Sequence, residues 1–144
     1  MSGKKIASIM LLGLIALTGA CAEDTGGETV KVKINNEVFD VKLENNSAAE
    51  ELVKTLQKEN VTVNAKEYGG FEKVGDLGFS LPANDENINT EPGDIVLYQS
   101  NQLSLFYASH SWSYTKLGKI ENVSSTHLKE VLGSGDVVLT FSLK

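Results

Sequence analysis

The chain has no arginine; all thirteen of its basic residues are lysines. It has one cysteine, two prolines, one tryptophan and two histidines among 144 residues. Each scarcity closes off a class of structure or function. A lone cysteine excludes an intrachain disulfide, so the folded part must be held by its core. A net charge of −6 without basic clusters lacks the concentrated positive charge that phosphate backbones require, which excludes nucleic acid as a partner. His110 and His127 are too few and too far apart for a metal motif, and no carboxylate cluster has ligand spacing. Asp85-Glu86-Asn87 lacks the terminal glutamate of a calcium loop. No metal and no cofactor is expected. Ser109, Ser111 and Ser113 surround His110 but form no nucleophile elbow and have no acid partner. Gly133-Ser134-Gly135 is not followed by a helix that could present its N-terminus to a phosphate. No catalytic residue is assigned. The longest uncharged apolar run, Ile6 to Ala20, is about 15 residues, short of the ~20 that a membrane-spanning helix needs.

That run nevertheless has a pattern. Lys4 and Lys5 give it a positive head, and Leu17-Thr18-Gly19-Ala20-Cys21 closes it with small residues, the layout of a secretory signal peptide. A cysteine at the cleavage point resembles the lipobox of bacterial lipoproteins, although Thr18 holds the place, three residues before the cysteine, where leucine is usual. The resemblance implies a signal peptide over residues 1–20, lipid attachment at Cys21 and a place in the cell envelope, anchored to a membrane outside the cytoplasm. An unmodified Cys21 would instead leave the protein secreted. Without residues 1–20 the chain holds 11 lysines against 19 acidic residues, a net charge of −8. Residues 21–28 then form a small, polar, glycine-containing tether, and residues 29–144 are the size of one domain, expected to be a monomer.

Within that domain, Val30, Val32 and Ile34 alternate with Lys31, Lys33 and Asn35, and Val38 to Leu43 alternates again after a turn at Asn35-Asn36, which predicts a hairpin. Ser47 to Lys58 predicts a helix with Leu52, Val53 and Leu56 on one face, started by a Ser47–Glu50 capping box. A strand is expected around Val61 and Val63, a turn or bulge at Tyr68-Gly69-Gly70, and irregular chain over residues 75–94. Ile95 to Tyr98, Leu103 to Ala108 and Leu117 to Ile120 predict strands, with a polar aromatic loop at His110-Ser-Trp-Ser-Tyr114. Ser124 to Leu132 predicts a second helix, stopped by Gly133, before a last strand over Val137 to Leu143. About eight short strands with two helices and frequent turns indicate a mainly β domain, a closed barrel or a sandwich.

Ser104-Leu-Phe-Tyr107, Trp112, Leu117-Gly-Lys-Ile120, the following helix and Gly133-Ser-Gly135 resemble the second half of a cyclophilin. Phe71-Glu-Lys-Val74 is similar to the stretch that carries the cyclophilin arginine. Tyr68-Gly-Gly, Glu72-Lys73, Gly93-Asp-Ile95 and Phe106-Tyr107 resemble small bacterial cyclophilin-like domains, and the likeness covers residues 29–144. It implies a closed eight-stranded barrel capped by two helices, with a groove for a peptide or protein segment or a small ligand. In that likeness Lys73 stands in the arginine's place, Tyr107 in that of the phenylalanine flooring the proline pocket, and Trp112 in that of the groove tryptophan. Tyr68 joins them as a candidate ligand-binding residue. Lysine offers a point charge where a planar guanidinium fork is used, the Phe-Met-x-Gln run is absent, and His110 has no counterpart. Binding without efficient catalysis is therefore expected, with a weak peptidyl-prolyl isomerase or a structural module of the envelope as the alternatives. Tyr107 follows Phe106 on a strand, so one of the two enters the core and the other a groove or solvent.

Overall fold

A computed structural model describes residues 28–144; the expectations for the signal peptide and for Cys21 lie outside the described residues. The chain runs β1 (Thr29–Ile34), β2 (Glu37–Leu43), α1 (Ser47–Leu56), β3 (Val61–Tyr68), β4 (Glu72–Asp76), β5 (Glu86–Asn89), β6 (Asp94–Tyr98), β7 (Gln102–Phe106), β8 (Ser111–Ile120), α2 (Ser125–Leu132) and β9 (Val137–Ser142). Eight of the strands close an antiparallel barrel in the order β2-β1-β9-β3-β4-β7-β6-β8, and β8 returns to β2 through Val41↔Ile120 and Leu43↔Gly118. This is the closed eight-stranded barrel with two helices that the cyclophilin resemblance implied.

Alternation fills the barrel. Val30, Val32 and Ile34 of β1, Val63 and Ala65 of β3, and Leu139 and Phe141 of β9 point inward and are essentially sealed from solvent. Asn35 and Asn36 both take positive φ, 47° and 71°, the geometry of a tight turn matched to strand twist, and asparagine tolerates it better than most residues. At the β2–β8 seam the backbones come close. A Cβ on Gly118 would stand 2.6 Å from the carbonyl oxygen of Lys42, so closure of the barrel there depends on a residue without a side chain.

The helices sit at the two ends of β2. α1 is capped by Asn46, whose side chain accepts from the Ala49 N–H at 2.9 Å, rather than by the expected Ser47–Glu50 box; Asn46 wins because it also donates to the Lys116 carbonyl at 2.8 Å. α1 buries Ala48, Ala49, Leu52, Val53 and Leu56. α2 is capped by Ser124 and ends on Gly133 at φ 72°, as the sequence indicated. It docks on the first hairpin, where Asn35 donates to the Val131 carbonyl (2.8 Å) and His127 Nε2 meets Glu37 (2.8 Å).

Two expectations need correction. Residues 75–94 are not wholly irregular: Glu86–Asn89 forms β5, pairing through Ile88↔Trp112 and Glu86↔Tyr114. The polar aromatic segment is not a loop but the first half of the long strand β8. Its Ser/Trp/Ser/Tyr alternation is regular, and β5 supplies the neighbour that lets it extend past the barrel rim. Buried Leu77 and Leu81 pin the chain between β4 and β5, their N–H groups donating to Asn101 and Ser100 carbonyls at 2.9 and 2.8 Å.

Candidate functional site

The residues of β4, β7, β6 and β8 divide by parity. Ile95 and Leu97, Leu103 and Leu105, and Leu117 enter the main core. Their neighbours Val96 and Phe106, with Tyr114, form a separate small cluster on the outside of the barrel wall. The registers Glu72↔Phe106, Val74↔Ser104 and Val96↔Ser104 put these outward residues in rows across β4, β7 and β6. Over this patch lies a cleft of 820 Å³.

Glu72 and Val74 of β4, Gln102 and Ser104 of β7, Tyr98 of β6, and Trp112 and Tyr114 of β8 line it, and Tyr68, Gly69 and Phe71 at the β3–β4 turn and His110 complete one side. The rings form a continuous series. Phe71 stacks on His110 (centroids 4.0 Å, planes 9° apart) and lies parallel to Phe106 (6.1 Å, 7°). Tyr68 meets Phe71 edge-on, and Tyr114 meets Phe106 (5.4 Å, 66°) and Tyr98 (6.1 Å, 64°) the same way. These offset and edge geometries are those that aromatic quadrupoles favour. Tyr68 and Trp112 remain largely exposed, at 61% and 57%.

Glu72 is the one acidic side chain in the cleft lining, and no lysine joins it. It is 6% exposed. Its Oε1 accepts from Ser104 Oγ at 2.5 Å, whereas Oε2 has no hydrogen-bond partner among the described residues. Burial pushes its carboxyl above the usual range, partly offset by the Ser104 hydroxyl. Burial also raises the Tyr114 phenol to about 12, with the Glu72 charge adding to it. The backbone of His110 is fixed by buried Thr90, whose N–H and Oγ1 both donate to the His110 carbonyl (2.8 and 3.0 Å) while Oγ1 accepts from the His110 N–H (3.0 Å). Asp85 and Asn84 grip Thr115 Oγ1 at 2.6 and 2.8 Å. The segment around β5 thus braces the half of β8 that carries Trp112 and Tyr114.

The four expected ligand-binding residues do not converge. Tyr68 and Trp112 flank the cleft. Lys73, expected at its rim, is fully buried on the other side of the barrel wall. Its ammonium donates to the Gly133 and Gly135 carbonyls at 2.9 and 2.6 Å, pairs with Glu67 at 3.1 Å, and lies 5.6 Å from the centre of the Tyr107 ring. Tyr107 is with it. It packs against the main core and donates its hydroxyl to Glu67 Oε1 at 2.7 Å. Of the adjacent aromatics, Phe106 therefore faces the cleft side and Tyr107 the inner side. Burial of Tyr107, with its hydrogen bond to Glu67, raises the phenol to about 12. Burial pushes Glu67 up, but hydrogen bonds from Tyr107, Lys73 and the Gly70 N–H and the Lys73 charge outweigh it, leaving that carboxyl below its ordinary range.

The sequence reading missed Glu72, Ser104, Phe71, Tyr98, Tyr114 and His110. The signal for two of them was present, since Glu72 and Ser104 share the strand parity of Val74 and Phe106. Among the described residues no group of three His, Cys, Asp or Glu side chains could hold a metal ion, and no helix is long and apolar enough to cross a membrane.

A model of the cyclophilin-like family matches residues 32–142, most of the described barrel. No curated protein and no solved structure matches the chain.

Proposed function

The chain belongs to the cyclophilin-like family, and from that premise we propose that its barrel is a binding module that takes a peptide segment or a small ligand in the outer cleft without efficient prolyl isomerisation. The observation that carries this reading is the cleft itself: 820 Å³ of space backed by a row of rings, with Trp112 and Tyr68 left exposed at its sides. Exposed aromatics beside an apolar hollow are characteristic of recognition sites. Isomerisation requires weakening an amide resonance behind a barrier of about 18–20 kcal/mol. The cleft lining holds no lysine to assist it, and Lys73 spends its charge inside the barrel.

In this reading Cys21 carries a lipid and the barrel works at the outer face of a membrane as a monomer. Seven residues lie between Cys21 and Thr29, and the eight residue steps from one to the other, at ~3.5 Å per step when extended, reach at most about 28 Å. The cleft would then serve ligands close to the membrane surface. Mass spectrometry of the mature N-terminus tests the anchor, since a diacylated Cys21 supports it and cleavage elsewhere removes it.

An NMR titration with proline-containing peptides and small ring compounds tests the binding. Shifts of the Trp112 indole and the Tyr68 and Tyr98 rings are expected, and an unmoved cleft would overturn the reading. A proline-isomerisation assay decides against the weak-enzyme alternative if no rate exceeds background.

A further inference from the structure

The cleft contains more than rings. Among its aromatics lies one carboxyl, that of Glu72, 6% exposed, held by Ser104 through Oε1 and unpartnered at Oε2. No lysine lines the cleft to balance it. Oε2 is not among the sealed, unpartnered atoms of the described residues, so it is open to the solvent of the cleft and is the carboxyl oxygen that a ligand can meet. Aromatic faces around an acidic group are the surroundings an organic cation favours, because the ring quadrupoles and the carboxylate both attract positive charge while the rings accept its alkyl surface. The chain as a whole is acidic, with a net charge of −6, which draws cations and repels anions over longer range.

We propose that the cleft recognises a ligand bearing an alkylammonium group, with the ammonium seated against Glu72 Oε2 and its alkyl carbons against the rings of Phe71, Tyr98, Trp112 and Tyr114. This rests on the binding reading above and names the chemistry of its ligand. The ammonium belongs either to a free small molecule or to a lysine side chain on a peptide, and both supply the same group.

The test uses the full chain and the fluorescence of Trp112, its only tryptophan. Choline is titrated against 3,3-dimethylbutan-1-ol, its neutral isostere, and N-acetyl-lysine methylamide against N-acetyl-norleucine methylamide. The cation of at least one pair is expected to bind roughly tenfold or more tightly than its neutral partner, the scale of one charge-assisted contact. Whichever pair shows the preference identifies the source of the ammonium. Glu72→Gln keeps the shape and the Ser104 contact, and is expected to abolish the preference. The comparison on the unaltered chain needs no variant, so a misfolded Glu72→Gln leaves the test intact. Equal binding of cation and isostere overturns the ammonium proposal and leaves the binding module standing. A cation preference that survives Glu72→Gln in a folded protein also overturns it. Silence of Trp112 toward all four probes and toward proline peptides overturns both.

Discussion

Glu72 and Lys73 are consecutive in the chain and stand on opposite sides of the barrel wall. One carboxyl sits at the base of the outer cleft, and one ammonium closes the barrel from within. The same four-residue stretch, Phe71 to Val74, therefore serves a site and a core at once.

Lys73→Met is expected to destabilise the domain by about 3–5 kcal/mol, the usual cost of leaving a buried partner unpaired. The Gly133 and Gly135 carbonyls lose their donor, and Glu67 keeps only Tyr107 and the Gly70 N–H. Urea denaturation measures the loss. The remaining folded protein should bind cleft ligands with unchanged affinity, whereas a groove lysine would lose affinity along with stability.

Glu72 gives a stability effect of the opposite kind. Burial raises its folded carboxyl above the ordinary value of 4.5, so the folded state holds this proton more tightly than the unfolded chain. Its contribution is fully present below pH 4.5 and is lost as pH rises through the folded value. The stability of Glu72→Gln relative to the native chain should therefore increase with pH across that window and then level off. His110, Glu67 and Tyr114 surround the carboxyl electrostatically, so the comparison is between variants at each pH. Denaturant midpoints at pH 4, 6 and 8 provide the check, and a flat difference would show that burial does not perturb the group.

At the seam, Gly118→Ala would place a methyl 2.6 Å from the Lys42 carbonyl oxygen. Relief requires β2 and β8 to part at the contact that closes the barrel. A loss of about 1–3 kcal/mol is expected, in line with overpacked sites. Amide exchange should quicken at Leu43 and Glu44, whose N–H groups donate to Glu28 and Leu117 carbonyls. Thermal melting combined with hydrogen exchange distinguishes this local opening from uniform destabilisation.

His127 joins α2 to the first hairpin. Its hydrogen bond to Glu37, aided by that charge, raises the imidazole above 6.5. The stabilisation is fully present below pH 6.5 and disappears as pH rises through the folded value. Native protein should lose a little stability over this interval that His127→Gln does not lose. NMR titration of the imidazole in the native chain and in Glu37→Gln checks the cause, because the raised value should fall back without Glu37.

Where apolar residues alternate, the sequence was enough. β1, β2 and β9 carry Val, Ile, Leu and Phe at every second place, and both helices carry a stripe with a polar cap. β4 carries no such mark. Its inward residues are Lys73 and Gly75 and its outward ones Glu72 and Val74, so hydrophobicity gives the wrong facing, and the likeness to the arginine-bearing stretch of cyclophilins put the lysine in the groove. β5, Glu-Asn-Ile-Asn, exists because β8 offers it an edge; nothing local in four mostly polar residues demands a strand. The first half of β8 was hidden for the matching reason.

The order of strands has one more consequence, for folding in time. β9, which follows the other eight strands in chain order, lies between β1 and β3. Until Val137–Ser142 is in place, both of those strands present an open edge to any other chain, and the contact that joins Val32 to Phe141 spans nearly the whole domain. Such long-range pairing folds slowly. A chain that stopped before Val137 would lose both pairings of this strand, so it should yield an aggregating product rather than a weakened barrel.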